Sequence, residues 1–267
     1  MVDGSTIDGA SPDIAYSRYS KGEWVAASTA VPEEMALTIY VENEELVTIL
    51  CTPTKLNCLV LGFLYTEGII TGKNDVATMR VCQDDWLAEV KLSRPGYTPP
   101  ARRTISSGCG GGVSFAVEAQ SVHSDLVVEP EDVLHMVRQL NERAELYRHS
   151  GGVHAAALGD SRDLIAVAED IGRHNTLDKI MGECMLTGQP TKDRLLIATG
   201  RVSSEMLTKA AKMETPIVVS RSSPTDVSIS LALKLGITLI GYARGDRLSV
   251  YSHEERLKGV SGTGSAG

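Results

Sequence analysis

"LLIATGRVSSEMLTKAAKMETPIVVSRSSPTDVSISLALKLGITLIGYARGDRLSVYS", residues 195–252, decides the fold by its rhythm. Three apolar runs, "LLIA", "PIVVS" and "TLIGYA", alternate with helical stretches near 203–213 and 225–235. Strand, helix, strand, helix, strand with unbroken apolar strands is the pattern of a parallel sheet covered on both faces. A last strand, "LSVYS", is expected to pair antiparallel at an edge. Each apolar run is followed at once by a polar turn bearing arginine: Gly200 with Arg201, Arg221 with Ser222, and 244–247, which holds Arg244, Gly245, Asp246 and Arg247.

Working backwards, "LIAVAEDI" leads into Gly172, Arg173 and His174 in the same way. "VHAAAL" and "LIAVAE" read as a hairpin. A helix from about Asn175 buries Leu177, Ile180, Met181 and Cys184. Another opens at Glu129 and Pro130 and presents Val133, Val137, Leu140, Ala144 and Tyr147 on one face. Further upstream, "MALTIYVENEELVTIL" reads as a hairpin turning at Glu42 and Asn43, "KLNCLVLGFLYTEGI" as a helix closed by Gly68, and "ATMRVCQDDWLAEVKL" as a second hairpin. "SRPGYTPPARR" marks the boundary between a smaller α+β domain, residues 16–100, and an α/β domain, residues 101–257.

Carboxyl ends of parallel strands share one edge, where ligands bind. Helix N-termini there offer free N–H groups and partial positive charge, and arginines add forked donors. Ser203 or Ser204 can cap one helix, and Ser223 before Pro224 another. Each arginine alone could equally cap a helix end or pair with a carboxylate. Four such turns on one edge point to a multiply phosphorylated ligand, with Lys209 and 221–225 as further phosphate contacts. No Walker loop or dinucleotide fingerprint occurs.

The totals narrow the class. The chain has 267 residues, 42% hydrophobic, 22% charged and 4% aromatic, with net charge −8. That describes a soluble globular protein and argues against nucleic-acid binding, which favours basic surfaces and aromatic platforms. No membrane-length apolar run or signal peptide is expected. Cys51, Cys58, Cys82, Cys109 and Cys184 form no CxxC pair, so neither disulfides nor structural zinc is expected, and the chain reads as cytoplasmic. Four of the cysteines lie in apolar segments. Cys109 lies in "TISSGCGGGVSF", among glycines that offer bare backbone N–H groups and close approach, with Arg102 and Arg103 nearby to favour a thiolate. His154 reads as structural, whereas His174 fits capping and ligand contact equally. Zinc deamination would need HxE and PCxxC, both missing, and no GxSxG nucleophile elbow occurs.

Across residues 35–252, "GFLYTEGII", "SSGCGGG", "GGVHAAAL", "EDIGRHNTLDKIMG" and "TGRVSSEMLTKAAKMETPIVVSRSSPT" occur in order, followed by "GITLIGYARGDRLSVYSH". With these motifs the chain resembles the formate dehydrogenase accessory protein family (FdhD/NarQ). The resemblance implies a three-layer, cytidine-deaminase-like domain with a mainly parallel sheet and no zinc, beside a smaller α+β domain. It implies a sulfurtransferase that carries persulfide from a cysteine desulfurase to the bis(molybdopterin guanine dinucleotide) cofactor of formate dehydrogenase. Cys109 would carry the sulfur. Tyr242, Ala243, Arg244, Gly245, Asp246 and Arg247 would hold the cofactor, for which a guanine nucleotide can substitute, joined by Arg173, His174, Gly200, Arg201, Ser203, Arg221 and Ser222. The family pattern CGxCG has a second cysteine where this chain has Gly112, so no two-thiol relay can operate. That departure keeps a rival open: a non-catalytic molybdenum-cofactor chaperone or guanine-nucleotide-binding scaffold. A homodimer is expected from general base rates.

Overall fold

The computed structural model describes residues 7–94, 96, 103–105, 113–115 and 120–260. A ribbon of β1 (Ile14–Ser20) and β2 (Glu23–Thr29) comes first, with the Tyr19 and Trp24 rings 5.2 Å apart on its exposed surface. β3 (Met35–Val41) and β4 (Glu44–Cys51) form the expected hairpin. Its turn residues Glu42 and Asn43 both take positive φ, 53° and 68°, the conformation that matches the twist of the flanking strands. After α1 (Leu56–Thr66), β5 (Val76–Cys82) and β6 (Leu87–Leu92) complete a sheet of order β4-β3-β6-β5. Its inner residues Leu37, Ile39, Val41, Ala88 and Val90 bury against Leu59, Val60, Phe63 and Leu64 of α1. A short pair, β7 (Arg103–Ile105) and β8 (Val113–Phe115), follows.

The second half builds the larger sheet. α2 (Pro130–Arg143) takes Pro130 at its first position as expected, but the helix breaks at Ala144 before the one-and-a-half turns of α3 (Glu145–Ser150). Then come β9 (His154–Gly159), β10 (Leu164–Asp170), α4 (Arg173–Thr187), β11 (Leu195–Ala198), α5 (Ser204–Lys212), β12 (Ile217–Ser220), α6 (Asp226–Leu235), β13 (Thr238–Arg244) and β14 (Arg247–Ser252). The sheet order is β10-β9-β11-β12-β13-β14. Only β11, β12 and β13 pair in parallel. β9 runs against both of its neighbours and β14 against β13, so the expected mainly parallel sheet is in fact mixed. The expected β9–β10 hairpin supplies the antiparallel part, because it places β9 inside the sheet, running against β11.

Three layers result. Leu196, Ala198, Val218 and Leu239 face α4, α5 and α6, while Leu195, Ile197, Ile217, Val219 and Ile240 face α2. The crossovers through α4, α5 and α6 all step the same way along the sheet. Crossovers of one hand must then put all three helices on one face.

α1 and α4 join the two sheets, and two glycines set their approach. A Cβ at Gly62 would overlap the Asp178 carbonyl oxygen, and one at Gly182 the Cys58 carbonyl oxygen. Around this crossing lie two buried charge clusters. Lys179 Nζ meets Asp170 Oδ2 at 2.7 Å, both side chains wholly buried, and also donates to the Thr52 and Glu169 carbonyls and Thr54 Oγ1. Asp170 accepts further bonds from the N–H groups of Thr52 and Gly172 and from Asn175 Nδ2. Lys209 Nζ donates to both Asp178 oxygens (2.8 and 2.9 Å), to Glu67 Oε1 (2.9 Å) and to Thr66 Oγ1 (2.8 Å), above the Phe63 ring. Burial pushes the Asp178 carboxyl up. Burial also pulls the Lys209 ammonium down, but the two carboxylates more than offset it, so its pKa is raised. Lys209 is therefore no phosphate contact: the sequence reading of that residue is corrected, because a lysine with two interior carboxylates is held where no ligand reaches it.

Two changes test this junction by urea denaturation. Gly62→Ala forces a methyl group into backbone and is expected to cost about 1–3 kcal/mol despite better helix propensity, whereas Gly72→Ala, with open space around it, stays near wild type. Lys209→Met strands two buried carboxylates and is expected to cost about 3–5 kcal/mol.

Candidate functional site

Strand direction assembles the site. β10, β11, β12 and β13 end on one edge of the larger sheet, where β9 begins. That edge therefore gathers His154 and the segments 170–174, 199–203, 221–225 and 242–247, which is every arginine-bearing turn the sequence singled out. Short hydrogen bonds stitch the turns together. Thr199 accepts from the Ala155 N–H at Oγ1 (3.0 Å) and donates its own N–H to the Ala155 carbonyl (2.9 Å). Ser220 Oγ donates to the Gly200 carbonyl (2.7 Å) and accepts from the Ser222 N–H (2.9 Å). The Tyr242 N–H donates to the Ser222 carbonyl (3.0 Å) and the Arg221 N–H to that of Ala198 (3.1 Å).

Near α4 and α5 the edge is histidine-rich. Arg173, buried, and His174 open α4, which follows Gly172 with no side-chain cap. His174 Nε2 lies 3.1 Å from Glu205 Oε2 and 3.3 Å from Ser203 Oγ. Ser203 caps α5, accepting from the Met206 N–H. His154 stands against the Gly200 backbone, where a Cβ would come within 2.9 Å of its Nδ1. Burial first, then the charges of Arg173 and His174, lower the His154 pKa and so favour its neutral imidazole. His154 heads β9, one intervening residue after Gly151 and Gly152, and packs against the Gly200 backbone as the structural reading expects. The cap of α6 is also displaced from expectation: Thr225, in a reciprocal capping box with Ser228, replaces Ser223, while Pro224 instead bridges to Val202.

Toward β14 the edge is open. Tyr242 takes φ 52° in a bulge that shifts the β13–β14 register, with Ala243 buried beside it. Arg244, Gly245, Asp246 and Arg247 form an exposed hairpin tip, Gly245 at φ 64°. A tyrosine in the left-handed region is strained by about 1–2 kcal/mol, a feature concentrated at ligand sites. Arg201 is exposed, and Arg221 turns toward α2, where Nη1 donates to Asn141 Oδ1 (2.9 Å) and the guanidinium lies 6.0 Å from the Tyr147 ring centre. Cys109 lies outside the described residues. Of the other cysteines, burial pushes the Cys51 thiol up to about 12 and Cys184 to about 11, and raises Cys58 as well. Cys82 Sγ donates to Asp85 Oδ2 at 3.4 Å.

The described residues contain no helix long and apolar enough to cross a membrane. Proteins named sulfur carrier protein FdhD are similar along most of the chain. The one from Bacillus licheniformis is 39% identical over 252 residues, covering 90% of this chain and 95% of its own. That of Bacillus subtilis is 36% identical over 252 residues, with the same coverage. A crystal structure from Desulfotalea psychrophila, described as a formate dehydrogenase accessory protein, superposes with a TM-score of 0.79 over 93% of this chain and 99% of that one, at 23% identity, and so shares the fold. The family model for FdhD/NarQ matches residues 32–258, from the first strand of the four-stranded sheet to just beyond the last of the larger one, and the chain belongs to the FdhD/NarQ family.

Proposed function

We propose that this protein is a cytoplasmic sulfur carrier for formate dehydrogenase. It takes sulfur from a cysteine desulfurase as a persulfide on Cys109 and passes it to the bis(molybdopterin guanine dinucleotide) cofactor of the client enzyme. The Cys109 thiolate attacks the outer sulfur of the desulfurase persulfide. A new S–S bond forms as the old one breaks, and the desulfurase cysteine leaves as thiolate with no net change in oxidation state. The names of the relatives support the role. One observation narrows the choice of residue: burial pushes the Cys51, Cys58 and Cys184 thiols up, which makes them poor sulfur nucleophiles, and leaves Cys82, whose Sγ donates to Asp85 Oδ2, as the one other candidate beside Cys109.

The cofactor is cargo here, and the strand-end edge suits it chemically. Residues 242–247, with Arg173, His174, Gly200, Arg201, Ser203, Arg221 and Ser222, combine backbone N–H groups, hydroxyls and guanidiniums, the donor set for a phosphorylated nucleotide. His154 adds a neutral imidazole that can hydrogen-bond a base or sugar. The rival reading, a guanine-nucleotide-binding scaffold that moves no sulfur, is favoured by Gly112 standing where the family has a second cysteine.

Incubation with a cysteine desulfurase and cysteine is expected to add the mass of one sulfur atom to Cys109, seen by mass spectrometry of the intact chain. Cys109→Ala is expected to abolish both that adduct and formate dehydrogenase maturation while leaving GDP binding intact. Normal maturation by the alanine variant would leave only the scaffold reading. Tyr242→Gly removes the strained φ and is expected to stabilise the free protein by about 0.5–1 kcal/mol in thermal melts, yet weaken GDP binding.

A further inference from the structure

We propose that a hollow of about 210 Å³ on the α2 flank of the strand-end edge is a subsite for a phosphate or pyrophosphate group, with Arg138 as its third guanidinium. Arg138, Asn141 and Glu142 of α2 line it on one side, and Arg221, Arg244 and Gly245 on the other. Three permanently charged side chains thus converge against one carboxylate, in a chain whose net charge is −8. Among the described residues none of the three arginines makes an ion pair, not even Arg138 with Glu142 one turn further along α2. Like charges gathered without a counter-ion repel one another, and an anion between them relieves that cost.

Arg221 is already set for the task. Asn141 takes one of its donors and the Tyr147 ring backs its plane, so the remaining donors are preorganised. Gly245 leaves open space where a side chain would stand, which lets a ligand approach the backbone. Pockets for whole drug-sized ligands run from about 300 Å³ upward, so this hollow takes only part of a nucleotide, and its guanidiniums select the phosphates as that part. The inference rests on the guanine-nucleotide reading of the edge and adds where the tail of that nucleotide goes.

Calorimetric titration of the full chain with guanosine, GMP, GDP and inorganic pyrophosphate tests it. Arg138→Ala is expected to weaken GDP about tenfold or more, to leave guanosine unchanged, and to remove pyrophosphate binding, with the urea midpoint unmoved because Arg138 is exposed and unpaired. Glu142→Gln is expected to tighten pyrophosphate. Pyrophosphate bound equally by wild type and Arg138→Ala, or equal losses for guanosine and GDP, would overturn the subsite. The two readings fail separately. Arg138-dependent pyrophosphate binding without any GDP binding would sink the nucleotide reading alone, while GDP binding indifferent to Arg138 would sink the subsite alone.

Discussion

The crossing of α1 over α4 is the constraint on which the site depends. Backbones meet there because Gly62 and Gly182 carry no side chain, and the charges of Lys179, Lys209, Asp170, Asp178 and Glu67 are sealed around the contact. Charges taken out of water cost several kcal/mol each unless geometry and hydrogen bonds compensate, so these groups tolerate little displacement. α4 and α5 are therefore fixed from their middles. Their first residues, Arg173 and His174 on one and the cap Ser203 on the other, inherit that placement at the strand-end edge. A helix rises only about 1.5 Å per residue, so the stretch from Arg173 to Asp178 makes a short, stiff lever.

Several stretches that carry the family resemblance turn out to be structural on this account. In "GFLYTEGII", Gly62 makes the close approach, Phe63 lies under the Lys209 ammonium, and Thr66 and Glu67 bind it. In "EDIGRHNTLDKIMG", Asp170, Asn175, Asp178, Lys179 and Gly182 all serve the junction, while only Arg173 and His174 face the site. The two roles interleave at helical spacing: one face of α4 holds the sheets together and its first turn lies at the strand-end edge.

Periodicity made the helices, hairpins and strand-end edge legible. Apolar alternation and turn chemistry placed Glu42 and Asn43, Pro130 and the three parallel strands where they stand. The β9–β10 hairpin and the antiparallel edge strand β14 were legible too; what was not legible is that β9 inserts beside β11 and runs against it, which makes the sheet mixed. Lys209 was misread because a lysine on an amphipathic helix belongs by default to solvent; only the distant Glu67 and Asp178 make an interior place for it. A signal for the junction did exist in the sequence, as lone glycines inside two helices, each a mark of close packing.

The same chain handles its cations in two opposite ways. The lysines at the junction are compensated: Lys55 by Glu183, Lys179 by Asp170, Lys209 by Asp178 and Glu67. The edge arginines Arg201, Arg221, Arg244 and Arg247 have no carboxylate partner among the described residues, and where Arg221 is held it is held by a neutral amide and an aromatic ring. Neutral supports fix a guanidinium without cancelling its field. These arginines stand uncompensated in a chain whose net charge, counted over all its residues, is −8. An acidic total disfavours polyanions over most of the surface; an uncompensated edge is where that bias is locally weakest.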